Sequence, residues 1–276
     1  MKKYIFSSFL IIAFLCFVFN SCKKAEVDND TQSAVDNGIC EAEFVKVAPN
    51  ANGRAVNEKG VQKMFSSMCP ESYVDSADSA NGFPVTMWLY YDTMPGGSGC
   101  QGDDLKYRKG KLEVIVNQQW SDSVEGNDIM EIRFHDYYVD DVKYEGKVFI
   151  SKPSRFAYRT QVVEGKCSKD GGWNLEWNCD RIITKLEGED TPEDDSDDKY
   201  QITGTANGKN RNGKLYTANI TTPLIKYTNC AWIESGVLDI TPEGRPTRSL
   251  DYSPGGGCDD QAKVTINGNE YTLTLK

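Results

Sequence analysis

Histidine is almost missing from this chain of 276 residues: His135 is the only one. A hydrolytic triad built on imidazole has a single candidate base, and neither a G-x-S-x-G elbow nor an H-E-x-x-H run is present to use it. His135 stands in Phe134-His135-Asp136-Tyr137, a strand-like stretch where histidine packs or faces solvent. No two cysteines have C-x2-C spacing, so with one histidine the ligand pattern of a zinc site is missing and no metal is expected. Positive charge is also scarce. Lys and Arg number 31 against 41 Asp and Glu, for a net charge of −10 and a pI near 4.8. Phosphate backbones and anionic lipid surfaces demand the opposite balance, so nucleic acid is excluded as a partner, as is adhesion to a bilayer by charge. Long apolar runs are confined to the start of the chain, where Ile5 to Phe19, broken by Ser7 and Ser8, falls short of the roughly 20 residues that span a bilayer.

That short run, preceded by Lys2 and Lys3, has the form of a signal peptide over residues 1–21. Phe19-Asn20-Ser21-Cys22 resembles a bacterial lipobox, with Phe19 where Leu is usual and Asn20 where a small residue is usual. The resemblance implies cleavage before Cys22 and a lipidated N-terminal cysteine that tethers the protein to a membrane through its acyl chains. It also implies the outer membrane as destination, because no Asp follows Cys22. Lys23 to Gly38 is polar and acidic without hydrophobic period and reads as a flexible tether over 22–38. Val61, Met64, Phe65 and Met68 fall on one helical face and predict one short helix.

Beyond residue 82 the period becomes two. Segments 85–90, 112–116, 129–134, 148–150, 200–203, 215–220 and 236–240 are rich in β-branched and aromatic residues. Turn signals stand at Lys109-Gly110, Glu145-Gly146, Asn207-Gly208, Asn212-Gly213 and Asn267-Gly268. The expectation is a mainly β protein, with residues 39–276 forming a single all-β domain: an antiparallel meander of hairpins arranged as an open curved sheet, a sandwich or a partial barrel, with at most one short helix.

A weak internal repeat relates about 69–119 to about 230–275. Tyr91-Asp92-Thr93-Met94-Pro95-Gly96-Gly97-Ser98-Gly99-Cys100 resembles Leu250-Asp251-Tyr252-Ser253-Pro254-Gly255-Gly256-Gly257-Cys258, and each copy has an upstream cysteine, Cys69 or Cys230. An exported chain with this many cysteines is expected to form disulfides. The repeat predicts Cys69–Cys100 and Cys230–Cys258, and the turn-like Lys169-Asp170-Gly171-Gly172 between Cys167 and Cys179 suggests a third bond, leaving Cys40 free. Gly97 to Gly102 satisfies G-x-G-x-x-G, but a strand and hairpin follow where a dinucleotide site needs a helix, so no cofactor is expected.

Two features could touch a ligand. Trp173, Leu175 and Trp177 share one strand face, which is either core or an aromatic platform for sugar rings, making Trp173 and Trp177 candidate glycan contacts. The acidic run 189–198 reads as a solvated loop and lacks the EF-hand spacing. Asp75-Ser76-Ala77 and Asp78-Ser79-Ala80 resemble the acceptor pattern of Bacteroidota-type O-glycosylation, with Ser76 and Ser79 as the acceptors implied. As a whole the chain resembles the envelope lipoproteins common in Bacteroidota. That resemblance specifies export and fold, not activity; the leading expectation is a non-enzymatic binding or structural role, with a glycan or envelope protein as candidate partner. The alternatives are a glycan-active carboxylate hydrolase or glycan-binding protein, recognised by a cleft with paired acids and aromatic platforms, and a lipid carrier, recognised by an open apolar concavity.

Overall fold

The computed structural model describes residues 28–47, 70–74, 82–92, 99–102, 104–118, 128–191, 194, 196–255 and 257–275. The signal peptide, Cys22, the helical pattern at 61–68, Cys69, Ser76 and Ser79 lie outside the described residues. One helix, α1 (Gln32–Phe44), precedes the strands β1 (Glu71–Val74), β2 (Val85–Tyr90), β3 (Cys100–Gln101), β4 (Tyr107–Val116), β5 (Asp128–Val139), β6 (Val142–Ser154) and β7 (Ala157–Lys169). There follow β8 (Asn174–Glu187), β9 (Lys199–Lys209), β10 (Leu215–Tyr227), β11 (Ser235–Pro242), β12 (Arg248–Asp251), β13 (Gln261–Ile266) and β14 (Asn269–Thr274). Apart from β3, which pairs with β4, each strand lies beside the next in chain order, giving one open antiparallel sheet of 13 strands that does not close. Of the three arrangements expected, this is the open curved sheet. No described helix is long and apolar enough to cross a membrane.

The period-two pattern produces this sheet because only one face is buried. On β8, Leu175, Trp177, Cys179, Arg181 and Ile183 point inward, while Asn174, Glu176 and Ile182 are exposed on the other side. The inner face is concave and packs on α1. Phe44 of the helix meets Phe134, Tyr144 and Trp177 with ring centroids 5.2, 5.5 and 5.7 Å away. Burying a side chain of this size contributes about 1.5–3 kcal/mol.

Three of the expected turns are not turns. Lys109-Gly110 lies inside β4 and Glu145-Gly146 inside β6, both at register shifts, and Asn207-Gly208 lies inside β9. At Gly110 the backbone has φ 87°, and a Cβ there would overlap the carbonyl oxygen of Asp136 on β5. These glycines permit bulges and close strand approach, which bend long strands. Further shifts at Val162/Gly165 and Asn219/Leu224 continue the bending across the sheet and curl it around the helix. Asn212-Gly213 and Asn267-Gly268 do form hairpin turns, between β9 and β10 and between β13 and β14.

The tether expected over 22–38 is corrected where it is described: from Gln32 the chain is helical and buried against the sheet. The acids of α1, Asp36, Glu41 and Glu43, are each held by an arginine far along the chain.

Candidate functional site: a concavity beside the helix

Helix α1 has two unlike faces. Ser33, Asp36, Asn37, Cys40, Glu43, Phe44 and Val47 are buried on the sheet side. Val35, Gly38, Ile39, Ala42 and Val45, spaced at three and four residues, form the opposite stripe and are only partly covered or exposed. This reverses the usual surface helix, whose polar side meets water. The polar side is satisfied by the sheet. Arg181 of β8 donates to both carboxylate oxygens of Glu41 at 2.8 and 3.2 Å. Arg108 of β4 donates to Glu43 at 3.1 and 2.8 Å, and the Tyr137 hydroxyl donates to the same carboxylate at 2.5 Å. Arg211, after β9, holds Asp36 through its backbone and side-chain N–H groups, each at 2.8 Å. Arg248 of β12 grips Asp28, just before the helix, at 2.7 and 2.8 Å. Trp177 Nε1 donates to Asn37 at 2.9 Å, and Asn210 to the Ser33 hydroxyl at 2.9 Å. A slide of one residue would part every one of these pairs, so together they fix the helix axially and rotationally.

The apolar stripe of α1 faces a cavity of about 1530 Å³, larger than the roughly 300–1,000 Å³ of most small-molecule sites. The register of the sheet sets its opposite wall in rows. Tyr158, Ile183, Ile202 and Leu224 are successive cross-strand neighbours on β7, β8, β9 and β10, and all line the cavity. Two residues further toward the strand ends the next row is Lys185, Tyr200 and Lys226, also lining it. An apolar band therefore lies beside a cationic one. Lys185 pairs with Asp198 at 2.7 Å, and the Tyr200 hydroxyl donates to the same carboxylate at 2.7 Å. Lys226 donates to the carbonyls of Cys230 and Trp232. Burial, with the nearby charge of Lys46 adding to it, pulls the Lys226 ammonium down to about 8. Desolvation penalises a cation, so a nearby anion would be stabilised there.

Trp177 is fully buried, stacked on Phe44 and bonded to Asn37, so its candidacy as a glycan contact is corrected: it belongs to the core. Trp173 is half-buried on the cavity wall, with the Arg211 guanidinium 4.6 Å from its ring centroid. The two rings form no common platform. Among the acids lining the cavity, Glu41, Asp104, Asp141 and Asp198 are paired with Arg181, Arg108, Lys169 and Lys185 respectively. His135 is not among the residues lining the cavity and is bonded to Glu113 at 2.9 Å.

Cys230 and Cys258 are bonded to each other, and Cys100 is disulfide-bonded. Its expected partner, Cys69, lies outside the described residues. The expected Cys167–Cys179 bond is absent, because the hairpin register sets Cys167 opposite Leu175 and Cys179 opposite Val162. Cys167 faces Cys40 instead. No signal in the sequence pointed to the four arginines or to the cavity-facing stripe of α1. Their partners lie from 65 to 220 residues away.

Comparison of the chain with protein-family models, with curated proteins and with solved structures returns no match.

Proposed function

We propose that this is a lipid-anchored envelope protein that holds an amphiphile, with an apolar chain and an anionic head, in the concavity beside α1. The lipobox-like Phe19 to Cys22 supports the anchor. The observation that carries the ligand class is the ordered wall: the apolar row of Tyr158, Ile183, Ile202 and Leu224 faces the apolar stripe of α1, and Lys185 and Lys226 stand at its margin. In a chain of net charge −10, a lysine such as Lys226 on an apolar wall opposes the general trend and suits an anionic head group, while Lys185 is already balanced by Asp198. An ammonium has three donors, and Lys226 spends two on carbonyls, so one remains to meet a ligand. Four of the five acids that line the cavity, all but Glu189, are held in ion pairs, which favours binding over carboxylate catalysis.

Displacement of a fluorescent fatty acid from the full chain tests the reading. Gly38 is exposed on the stripe and lines the cavity, and a Cβ added there meets nothing within 4 Å, so Gly38→Trp is chosen to place a large ring in the cavity while leaving the helix backbone undisturbed. It should weaken binding at least tenfold while circular dichroism stays unchanged. Lys226→Met should weaken binding of a fatty acid but not of the fatty alcohol of equal length. Affinity for the fatty acid should fall as pH rises through about 8, where Lys226 loses its charge. Absence of binding by the wild-type protein, or equal binding by Gly38→Trp, overturns the proposal.

A further inference from the structure

We infer that Cys40 and Cys167 are joined by a disulfide in the exported protein, covalently fastening α1 to β7. Their sulfur atoms lie 2.7 Å apart, and both residues are fully buried. Non-bonded carbon atoms, which are smaller than sulfur, prefer separations of about 3.5–4.0 Å. Both thiols are unbonded in the structure, yet at this distance they are nearer than non-bonded contact allows and within about 0.7 Å of the S–S bond length. The placement follows from the fold. Cys40 sits in the middle of the sheet-facing side of α1, between the residues held by Trp177 and by Arg181. Cys167 sits on the concave face of β7, opposite Leu175 and next to the row that carries Trp177. The ion pairs that fix the helix therefore also bring these two thiols together.

The remaining cysteines agree with this assignment. Cys100, Cys230 and Cys258 are already in disulfides. Cys179 is separate, its thiol directed at the Thr160 carbonyl 3.9 Å away. Burial pushes that thiol up to about 12, which leaves it protonated and unreactive at neutral pH. The odd cysteine of the mature domain is then Cys179, hidden and inert, and not Cys40.

Forming the bond removes two protons and two electrons from the pair. A thiol–disulfide oxidoreductase of an oxidising compartment accepts the electrons. One thiolate attacks the oxidoreductase disulfide to make a mixed disulfide and release one of its thiolates. The second thiolate of the pair then displaces the remaining oxidoreductase sulfur, leaving the protein disulfide and the reduced dithiol. Since both thiols are buried in the folded protein, the mixed disulfide forms before α1 docks, and docking then brings the second thiolate to it. The product closes a sequence separation of 127 residues. It makes the helix, the first described element after the candidate lipidation site at Cys22, a covalent part of the β domain.

The test is peptide mapping of the full chain, isolated from its own envelope, with thiols alkylated before and after denaturation and without reduction. The expected result is a Cys40 peptide linked to a Cys167 peptide, with Cys179 alkylated only after denaturation. Recovery of Cys40 and Cys167 as separate alkylated peptides, or of Cys167 linked to Cys179, overturns the assignment. A second measurement does not depend on peptide recovery. Cys40→Ser and Cys167→Ser should each lower Tm by on the order of 10 °C, given the size of the loop released. The double variant should melt with either single one, as expected for two halves of one bond. Additive losses would mean that the thiols act separately.

Discussion

Asp180 and Arg181 are adjacent on β8 and point to opposite sides of the sheet, so this strand carries one ion pair on each face. Outside, Asp180 is held by Arg159, with both side chains 40% exposed. Inside, Arg181 is wholly buried and holds Glu41, itself 21% exposed. The chemistry is nearly the same in the two pairs, and the solvent is not. Water can serve either partner of the outer pair if the other is removed, which limits such a pair to about 0–1 kcal/mol. The inner arginine has no such substitute, because its charge has been desolvated against the core. The outer pair decorates the sheet, whereas the inner one decides where the helix sits.

The largest effect expected from breaking this contrast is in Glu41→Ala, which leaves Arg181 buried without a counter-charge. A loss of about 3–5 kcal/mol should appear in denaturant unfolding. A loss under about 1 kcal/mol would mean that Arg181 reaches water and that the two faces are alike. Replacing both partners, as Glu41→Leu with Arg181→Met, should recover most of that loss, since an apolar pair of similar volume incurs no charge desolvation. If the double variant is as unstable as the single one, the pair has a steric role that these substitutions do not reproduce.

Acid sharpens the comparison further. The Arg108 guanidinium holds the Asp104 carboxyl well below the usual carboxylate range, and Arg159 lowers that of Asp180. A carboxylate whose folded value is depressed lends stability that is present above its unfolded value near 4 and is lost as pH falls toward the folded one. Stability should therefore decline from about pH 4 downward. In 1 M salt, where the screening length is about 3 Å, the exposed Asp180 contribution should vanish from this curve while the part due to Arg108, itself buried, persists. An acid limb abolished entirely by salt would contradict the assignment. The smallest effect is expected from Asp180→Asn at neutral pH, a change within about 1 kcal/mol. A larger one would require the convex face to be covered.

The meander was legible in the sequence because alternation reports a sheet with one dry face, as in Leu175, Trp177, Cys179 and Ile183 against Asn174, Glu176 and Ile182. Turns were legible only where glycine serves a reversal, at Asn212-Gly213 and Asn267-Gly268. Gly110 and Gly146 carry the same local signature for a different purpose, since a bulge and a turn both need positive φ. The helix was not legible as a packed element. Asp36, Glu41 and Glu43 look like a solvated segment until Arg211, Arg181 and Arg108 are folded around them, and no local pattern carries that information. The cavity was equally hidden, because its lysines and aliphatic residues come together only through the register of four strands. The expected Cys167–Cys179 bond failed on countable grounds: Cys167 lies three residues before Asp170 and Cys179 seven after Gly172, so a symmetric hairpin could not align them.

A sheet that does not close also has unusual mechanics. In a sealed barrel the strand number and shear set the girth, and widening it means tearing a ladder. Here the girth is free, and a small change of twist at each of many strand pairs would open or narrow the mouth with every ladder intact. What limits that freedom is α1, a rod of 13 residues and so about 20 Å long, pinned at β4, β8, the β9–β10 turn and, through Asp28, β12. The helix works as a brace, tying strands from near one edge of the sheet to near the other to a single rigid element.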